Sequence, residues 1–237
     1  MMTELLFTED SYAKEFDAVV TKVDGRFIVL DKTLFYPQGG GQPADEGILT
    51  NDHTEYRVVS AKKMGSDVSH EVDKEGLKVG DKVCGKIDWD RRYLLMRMHT
   101  AAHIFADVIE KDAGKLITGN SLGIERSRID FNLEDFDKEK IQGYADQANK
   151  MINRELDVDI DELPYDDAMK LPDIVKLKDI LPPTIKNLRI VDIKEMNMQA
   201  CGGTHVKNTR EIGIIEVIKA ENRGKNNRRV YFKLKEK

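Results

Sequence analysis

Two short motifs in the chain combine residue types and a spacing that suit metal coordination. The first, His-Thr-Ala-Ala-His, spans residues 99–103, and the second, Cys-Gly-Gly-Thr-His, spans residues 201–205. Residues four positions apart on a helix lie one turn apart on the same face, so both imidazoles of the first motif can face one ion. Thiolate and imidazole are also the ligand types that zinc prefers. The predicted ligands of one shared Zn²⁺ ion per chain are His99, His103, Cys201 and His205.

For the first motif taken alone an alternative stays open, in which each histidine is satisfied by its own hydrogen bond in the core. Position 100 is Thr rather than Glu, so the motif lacks the general base of the His-Glu-x-x-His metallopeptidases. The two motifs lie about a hundred residues apart, whereas a zinc finger draws its ligands from one short unit. The predicted site therefore requires a folded domain that brings its two halves together.

The elements that must position these motifs change character near residue 90. Before it, short β-rich runs separated by turn residues predict a small antiparallel β-barrel. One of its hairpins is predicted at Asp24-Gly25, a two-residue turn signal between two β-rich runs. The predicted fold class is α+β, with a β-barrel domain at 1–90 and an α+β domain at 91–237 whose helices pack on an antiparallel sheet.

In the second part, apolar residues at three- and four-residue spacings predict a helix from Arg91 to about Asp112 that stops before Gly114. This helix contains the first motif. A second amphipathic helix is predicted at about 137–156, after a strand at 128–133. The other predicted elements are strands at 158–163 and 188–193, a short helix at 165–170, and a closing hairpin formed by 212–220 and 228–234.

The composition limits the class of protein. The chain has 237 residues, of which 40% are hydrophobic and 34% charged, and no apolar run approaches the roughly 20 residues that span a bilayer. Two cysteines in a chain of this length provide no disulfide framework, and Cys84 is expected to be a core thiol. These features predict a cytoplasmic protein that has no membrane segment.

The charge is distributed unevenly. A net charge of −5, averaged over the chain, argues against nucleic-acid binding. From Lys207 to the C-terminus, however, ten Lys and Arg stand against four Glu, which gives this stretch +6 and the rest of the chain −11. A basic edge on an acidic body suits an anionic partner that approaches from one side. The alternative is an ordinary solvated hairpin with lysines on its edge strands.

Four motifs occur in the order seen in the editing region of alanyl-tRNA synthetases. They are YPQGGGQPADEG at 36–47, DWDRR at 88–92, MHTAAH at 98–103, and CGGTHV at 201–206 running on to Gly213. The chain resembles the free-standing alanyl-tRNA editing proteins of the AlaX family, specifically the medium-length AlaX-M type with its glycine-rich N-terminal module. The resemblance spans nearly the whole chain and leaves no room for an ATP-dependent aminoacylation domain, so no nucleotide cofactor is expected.

The resemblance implies a zinc-containing aminoacyl-tRNA deacylase that acts in trans through an editing domain at 91–237. Its partner would be tRNA(Ala) carrying a wrong amino acid, mainly serine, with glycine as a second candidate. The same four metal ligands carry over by motif, and the chain is expected to work as a monomer. Four protein ligands would close the zinc site, so either His205 is displaced or the metal only organises the pocket.

Discrimination between amino acids has its own physical requirement. A pocket that hydrogen-bonds the serine hydroxyl disfavours alanine, because alanine would leave buried polar groups unpaired. The predicted substrate-binding residues are Thr118, Asn120 and Ser121 after the first helix, Thr204 in the second motif, and Gly40, Gly41 and Gln42 in the glycine-rich segment. The predicted tRNA-binding residues are Lys225, Arg228 and Arg229. For the polar residues, turn and capping roles are the alternative, and for the glycines it is a tight interdomain turn.

Other functions remain open at this point. One is a non-catalytic, zinc-containing module that binds tRNA. Another is an editing hydrolase of the related threonyl type, which spacing alone does not separate from the alanyl type. A third is a zinc hydrolase of small esters or amides that does not use RNA.

Overall fold

The computed structural model describes residues 2–114, 117–132, 138–175, 186–224 and 227–236. Its strands are β1 (Glu4–Leu5), β2 (Glu15–Asp24), β3 (Phe27–Leu30), β4 (Lys32–Thr33), β5 (Gly47–Asn51), β6 (Thr54–Met64), β7 (Asp67–Val72), β8 (Lys82–Ile87), β9 (Ile117–Ser121), β10 (Ser127–Phe131), β11 (Val158–Pro164), β12 (Asn187–Ile193), β13 (Asn197–Ala200), β14 (Ile214–Asn222) and β15 (Arg228–Lys235). Its α-helices are α1 (Trp89–Ala113), α2 (Lys138–Ile152), α3 (Tyr165–Ala168) and α4 (Pro172–Val175), with 3-10 turns at Leu6–Thr8 and Thr209–Glu211. None of the described helices is long and apolar enough to cross a membrane.

The chain forms two compact units. Unit 1 comprises Met1–Met96 and Leu122–Ile124, and unit 2 comprises Arg97–Ser121 and Glu125–Lys237. Unit 1 is built on a closed antiparallel barrel in the strand order β2-β3-β7-β6-β5-β8. Gly25, in the predicted turn between β2 and β3, has a φ of +56°, which favours glycine. The barrel, the antiparallel sheets and the few helices confirm the predicted α+β fold class.

The barrel strand β8 corrects one prediction. Burial alternates along this strand, with Val83 and Ile87 pointing into the barrel core. Cys84 lies on the opposite side and is an exposed free thiol rather than a core thiol.

A fully buried ion pair joins the glycine-rich segment of unit 1 to the first turn of α1. The Arg92 and Asp45 side chains are both inaccessible to solvent, and Arg92 Nε lies 3.0 Å from each carboxylate oxygen. Arg92 also donates to the carbonyls of Ser11 and Leu34, at 3.0 and 2.6 Å. Asp45 in turn accepts from the amide of Tyr36 at 2.7 Å. A buried pair is tolerated when its remaining polar atoms are satisfied in this way.

Unit 2 contains a four-stranded antiparallel sheet in the order β14-β15-β10-β9 and a three-stranded sheet in the order β11-β12-β13. On the buried face of the larger sheet, Phe105 of α1 meets Phe232 of β15 edge to face, with 5.9 Å between ring centroids. The helix α2 packs against the edge strand β14, where the Asn149 side chain makes hydrogen bonds of 2.9 and 2.8 Å to the backbone of Ile215. This side-chain amide pairs backbone groups that an edge strand would otherwise leave open.

The helix that carries the first motif is slightly longer than predicted. It begins at Trp89, because the Asp88 carboxylate accepts a hydrogen bond from the amide of Arg91 at 3.1 Å and caps the first turn. It ends at Ala113, and the following Gly114 has a φ of +63°, which confirms the predicted stop.

Other element boundaries differ more. The second helix ends at Ile152 rather than near residue 156, and Glu155 has a φ of +56° that no helix interior allows. The sequence does not predict β9 or β13. All four residues of β13 are half-buried, so the strand has no alternating pattern to detect. Residues 133 and 137, for which a strand end and a helix start are predicted, lie outside the described residues.

A buried histidine, His70, is part of the barrel core. Its Nδ1 lies 3.0 Å from the carbonyl of Ile28, and its Nε2 lies 2.8 Å from the hydroxyl of Thr33. A neutral ring satisfies both contacts, with Nδ1–H donating and Nε2 accepting. Burial lowers the pKa of His70 to about 4, although the hydrogen bond to Ile28 opposes the shift.

We predict that His70 makes the barrel less stable as the pH falls. In the unfolded chain His70 has a pKa of about 6.5, so between about pH 6.5 and about pH 4 its ring is protonated more often in the unfolded chain than in the folded one. Stability is therefore lost as the pH falls through that interval. The expected contribution is about 3 kcal/mol in the free energy of unfolding. Urea unfolding of the metal-saturated protein, followed by Trp89 fluorescence at several pH values, measures it.

The His70→Gln variant should lose this part of the pH dependence, and the exposed His53→Gln variant should retain it. Parallel pH profiles for the parent and His70→Gln would contradict the prediction.

Candidate metal centre

The two predicted motifs meet in unit 2. The helix α1 carries His99 and His103 one turn apart, and residues 201–205 follow directly after β13. One ligand atom from each of the four predicted residues lies within 4.8 Å of the other three. Cys201 Sγ is 3.5 Å from His99 Nε2 and 3.3 Å from His205 Nε2. The ring centroids of the three histidines are separated by 5.1, 4.3 and 4.7 Å.

Burial favours neutral imidazoles in this cluster. It lowers the pKa of His103 to about 4. Burial is also the main cause that holds the pKa of His99 and of His205 well below the usual range, assisted by the neighbouring histidines and by the charge of Arg189. The pKa of the Cys201 thiol is raised by burial, against a backbone hydrogen bond and the same arginine. Neutral imidazole is the form that binds a metal ion, because the ion and a proton compete for the same nitrogen.

The donor set fits a metal ion. The Nδ1 atom of His103 is buried and has no hydrogen-bond partner among the described residues. Leaving a buried polar nitrogen unpaired costs free energy unless water or an ion satisfies it. Three imidazoles and one sulfur are donors that transition-metal ions such as zinc accept. The cluster could therefore bind a metal.

Thr100 orients the second half of the cluster. Its hydroxyl oxygen lies 3.1 Å from His205 Nδ1 and accepts a hydrogen bond from the amide of Val206 at 3.3 Å. The threonine side chain is fully buried. A partner at Nδ1 leaves the other ring nitrogen of His205, the one nearest to Cys201, directed into the cluster. Thr100, at the position that is glutamate in the His-Glu-x-x-His motif, thus has a positioning role.

Hydrogen bonds hold the cysteine segment on two sides. Arg189 Nη1 donates to the carbonyls of Cys201 and Gly203, at 2.9 and 2.6 Å. The Gly203 amide points back at Cys201 Sγ, at 3.4 Å. At the start of β13, Asn197 donates to the buried carboxylate of Asp107 on α1, at 2.8 Å. The helix that carries two of the donors and the strand that precedes the other two are thus joined directly.

Arg189, Asp107 and Asn197 belong to the site but lie outside the motifs, so the sequence does not predict them. The backbone amide of Cys201 donates to the carbonyl of Arg189 at 3.0 Å, so the two residues are neighbours across β12 and β13. To predict that pairing, β13 would have to be recognised as a strand, and it has no alternating burial pattern. The sequence therefore contains no signal strong enough to place Arg189 beside Cys201.

The predicted glycine-rich substrate segment forms a tight turn in unit 1. Gly39 and Gln42 exchange backbone hydrogen bonds of 3.1 and 2.8 Å, and Gly40 and Gly41 between them have φ values of +56° and +84°. These backbone angles favour glycine. The Gln42 side chain is buried, and the carbonyl of Gly41 accepts from the amide of Leu122 at 2.8 Å. The turn explains the glycines, and substrate contact by this segment stays a prediction.

The predicted polar substrate residues differ in their surroundings. Thr118 is exposed and Ser121 is half-buried on β9. Asn120 is paired with Ile129 on the buried face of the sheet, and its Oδ1 is buried with no hydrogen-bond partner among the described residues. Thr204 is fully buried within the second motif.

The predicted tRNA-binding residues also have internal roles. Arg228 is buried, and its Nη1 donates to the side chain of Asn222 at 2.9 Å and to carbonyls of the hairpin turn. Arg229 makes two hydrogen bonds to the Asp130 carboxylate, at 2.7 and 2.9 Å. Lys225 lies outside the described residues. Contact of these three residues with tRNA stays a prediction.

Comparisons with known proteins find relatives over nearly the whole chain. The family profile "tRNA synthetases class II (A)" matches residues 5–91, and "Threonyl and Alanyl tRNA synthetase second additional domain" matches residues 188–231. An alanyl-tRNA editing protein AlaX-M of Methanosarcina barkeri is 50% identical over 98% of this chain and 99% of its own length. The AlaX-M protein of Saccharolobus solfataricus is 44% identical over 99% of this chain and 100% of its own length. An alanine–tRNA ligase of Hyperthermus butylicus is 39% identical over 92% of this chain, but over only 24% of the ligase.

The chain has a closed barrel and an α+β unit with a histidine and cysteine cluster. Together with these similarities, they place it in the class of proteins that are similar to one region of alanyl-tRNA synthetases. The chain belongs to the alanyl-tRNA editing protein AlaX-M family. This confirms the resemblance that the four motifs indicate.

Replacing Thr100 tests the positioning role. Thr100→Val keeps the shape but removes the hydrogen bonds to His205 and Val206, so we expect the affinity for a divalent metal to fall about 10- to 100-fold. Competition between the protein and a chromophoric chelator for Co²⁺ measures the affinity, and thermal unfolding checks the fold. The exposed Thr54→Val variant is the control, and unchanged affinity in Thr100→Val would refute the role.

Proposed function

We propose that this protein is a zinc-dependent hydrolase that deacylates mischarged tRNA(Ala), mainly Ser-tRNA(Ala), with Gly-tRNA(Ala) as a second substrate. The observation that carries the proposal is the convergence of His99, His103, Cys201 and His205 in a chain of the AlaX-M family. The editing activity is assigned to residues 91–237, which contain all four donors.

The reaction is the hydrolysis of an ester. Water adds to the carbonyl carbon of the aminoacyl group, the bond to the 3′-terminal ribose oxygen breaks, and free amino acid and the ribose hydroxyl are released. A zinc ion bound at the cluster would polarise the ester carbonyl or lower the pKa of a bound water to about 7. The chain itself supplies neutral imidazoles in a buried setting. Thr100 fixes the orientation of His205, and Arg189 fixes the cysteine segment.

The donor types favour zinc over calcium or magnesium. Three nitrogens and one sulfur are a typical zinc set, whereas calcium and magnesium take oxygen ligands. Because four protein ligands would close the zinc site, the catalytic form requires either displacement of His205 or attack by a water that polar side chains hold. Zinc content and activity of a His205→Ala variant distinguish the two, since displacement predicts that both are partly retained.

Selectivity for serine is assigned to Asn120. Of the predicted residues on β9, it has a buried side-chain acceptor that no described residue satisfies. A serine hydroxyl can donate to that oxygen, and alanine would leave it unpaired. This contrast supports a preference for seryl over alanyl esters.

The central prediction concerns deacylation. The parent protein should release serine from Ser-tRNA(Ala) and little alanine from Ala-tRNA(Ala), and a chelator should abolish the activity. Cys201→Ala and His103→Ala remove a donor each, so we expect both to lose activity together with bound zinc. The measurement is release of labelled amino acid from Ser-, Gly- and Ala-tRNA(Ala), alongside the zinc content of each variant.

The exposed residues of the same types provide matched controls. Cys84→Ala and His53→Ala should keep both zinc and activity. Equal rates on seryl and alanyl substrates would overturn the specificity. Binding of tRNA without any turnover would favour a non-catalytic module, and turnover of small esters without tRNA would favour a hydrolase of another kind.

The Asn120→Ala variant tests selectivity. Loss of one buried hydrogen bond should lower kcat/KM for Ser-tRNA(Ala) about 5- to 100-fold and leave the low kcat/KM for Ala-tRNA(Ala) unchanged. The ratio of the two kcat/KM values should therefore fall by the same factor. The exposed Asn153→Ala variant is the control. Equal losses on both substrates would show that Asn120 does not read the hydroxyl.

A further inference from the structure

The outer face of the four-stranded sheet in unit 2 is strongly basic. Residues 229, 231, 233 and 235 of β15 alternate with the buried residues Val230 and Phe232, so they point away from the core. The strand register aligns them with outward residues of β14 and β10. The basic sheet face, as we define it, consists of Arg126, Arg128, Lys219, Arg223, Arg229, Lys233 and Lys235 around Tyr231.

Three carboxylates on this face are each bridged by two cations. Asp130 pairs with Arg229 at 2.7 Å and with Arg128 at 2.5 Å. The other two groups are Glu216 with Lys235 and Lys233, at 2.8 and 3.1 Å, and Glu221 with Lys219 and with Arg223, the latter at 3.0 Å. Each carboxylate cancels only one of its two partners, so positive charge is left over at every group.

The charge balance sets this face apart from the rest of the chain. The seven cations of the basic sheet face and the three carboxylates that pair with them sum to a net charge of +4. Removing these residues from the 38 Lys and Arg and the 43 Asp and Glu of the chain leaves 31 against 40, a net charge of −9. A polyanion would therefore be repelled by the remaining residues and attracted to this sheet face.

The outward side chains of β15 are evenly spaced. Outward residues recur about every 7 Å along a strand, because the rise is about 3.4 Å per residue. Arg126 stacks over the Tyr231 ring with 5.2 Å between its guanidinium carbon and the ring centroid. A flat guanidinium on an aromatic ring is a surface on which a base or a phosphate can settle.

We propose that the basic sheet face binds the sugar-phosphate backbone of RNA, which, given the proposed function, is the tRNA substrate. Exposed ion pairs contribute little stability, so the lysines can turn from glutamate to phosphate at small cost. The carboxylates keep the cations apart and oriented until RNA arrives. Arg228 does not belong to this surface, because it lies on the buried side of β15.

The test compares two triple variants with the same change in charge. Lys219→Gln, Lys233→Gln and Lys235→Gln together remove three half- to well-exposed cations of the basic sheet face. Lys62→Gln, Lys63→Gln and Lys82→Gln together remove three exposed lysines of unit 1. Binding of a non-aminoacylated tRNA(Ala) transcript, which carries no ester to hydrolyse, is measured by fluorescence anisotropy with the metal-saturated protein over a range of salt concentrations.

We expect the sheet-face variant to bind at least about tenfold more weakly in low salt and to lower the slope of log affinity against log salt by about one per lysine. The unit 1 variant should keep the affinity of the parent within about twofold. Equal effects of the two variants, or no effect of the first, would overturn the proposal. The proposal would also be overturned if the sheet-face variant lost binding to anionic lipid vesicles while its tRNA binding stayed unchanged.

The two proposals can fail separately. A parent protein that binds tRNA through the sheet face but releases no serine would disprove the deacylase and leave the RNA surface standing. A parent that deacylates Ser-tRNA(Ala), with tRNA affinity insensitive to the three lysines, would do the reverse. Thermal unfolding of both variants verifies the fold, and single Lys233→Gln and Lys235→Gln variants serve if a triple variant is unstable.

Discussion

Four metal donors from distant parts of the chain can share one point only if they do not repel each other, and this constraint shapes unit 2. Burial meets it by holding the pKa values of the three histidines low, so that the imidazoles stay neutral within 4.8 Å of the sulfur. Neutral donors still need orientation. Thr100 supplies it for His205, and Arg189 supplies it for the cysteine segment. The Asp107–Asn197 hydrogen bond keeps α1 and β13 together, so the cluster depends on the packing of both elements.

Unit 1, by contrast, contains a buried ion pair. Arg92 and Asp45 are both fully buried, and their remaining polar atoms bind the backbone of neighbouring segments. Removing one partner of such a pair is expected to cost about 3 to 5 kcal/mol, since the other charge would be left buried alone. The pair anchors the segment that leads into the glycine-rich turn. That turn needs glycine at positions 40 and 41, where φ is positive. Backbone carbonyls and amides therefore satisfy much of this buried pair.

Much of this arrangement could be predicted from the sequence, and the reasons are local. The spacing of His99 and His103 and the apolar pattern around them define one face of α1, and Asp24-Gly25 defines a hairpin, because both signals depend on neighbours along the chain. The short strands β9 and β13 could not be predicted, since neither has the alternation that marks a strand with one buried side. The role of Arg189 was hidden for the same reason. Cys84 shows the reverse error, in which a β-rich run was read correctly but the wrong side was assigned to the core.

The sequence by itself determined which residues could bind a metal, how they are spaced, and that the chain resembles the alanyl-tRNA editing proteins, because motifs and local periodicity are properties of the chain alone. Only the tertiary structure decided which side of β15 each arginine occupies. The sequence shows Arg228 and Arg229 as adjacent cations, but in a strand adjacent residues point to opposite faces. One therefore lies buried at the hairpin turn, whereas the other joins the lattice of charges on the outer face. Pairing between strands distant in sequence fixes that choice, and no local signal contains it.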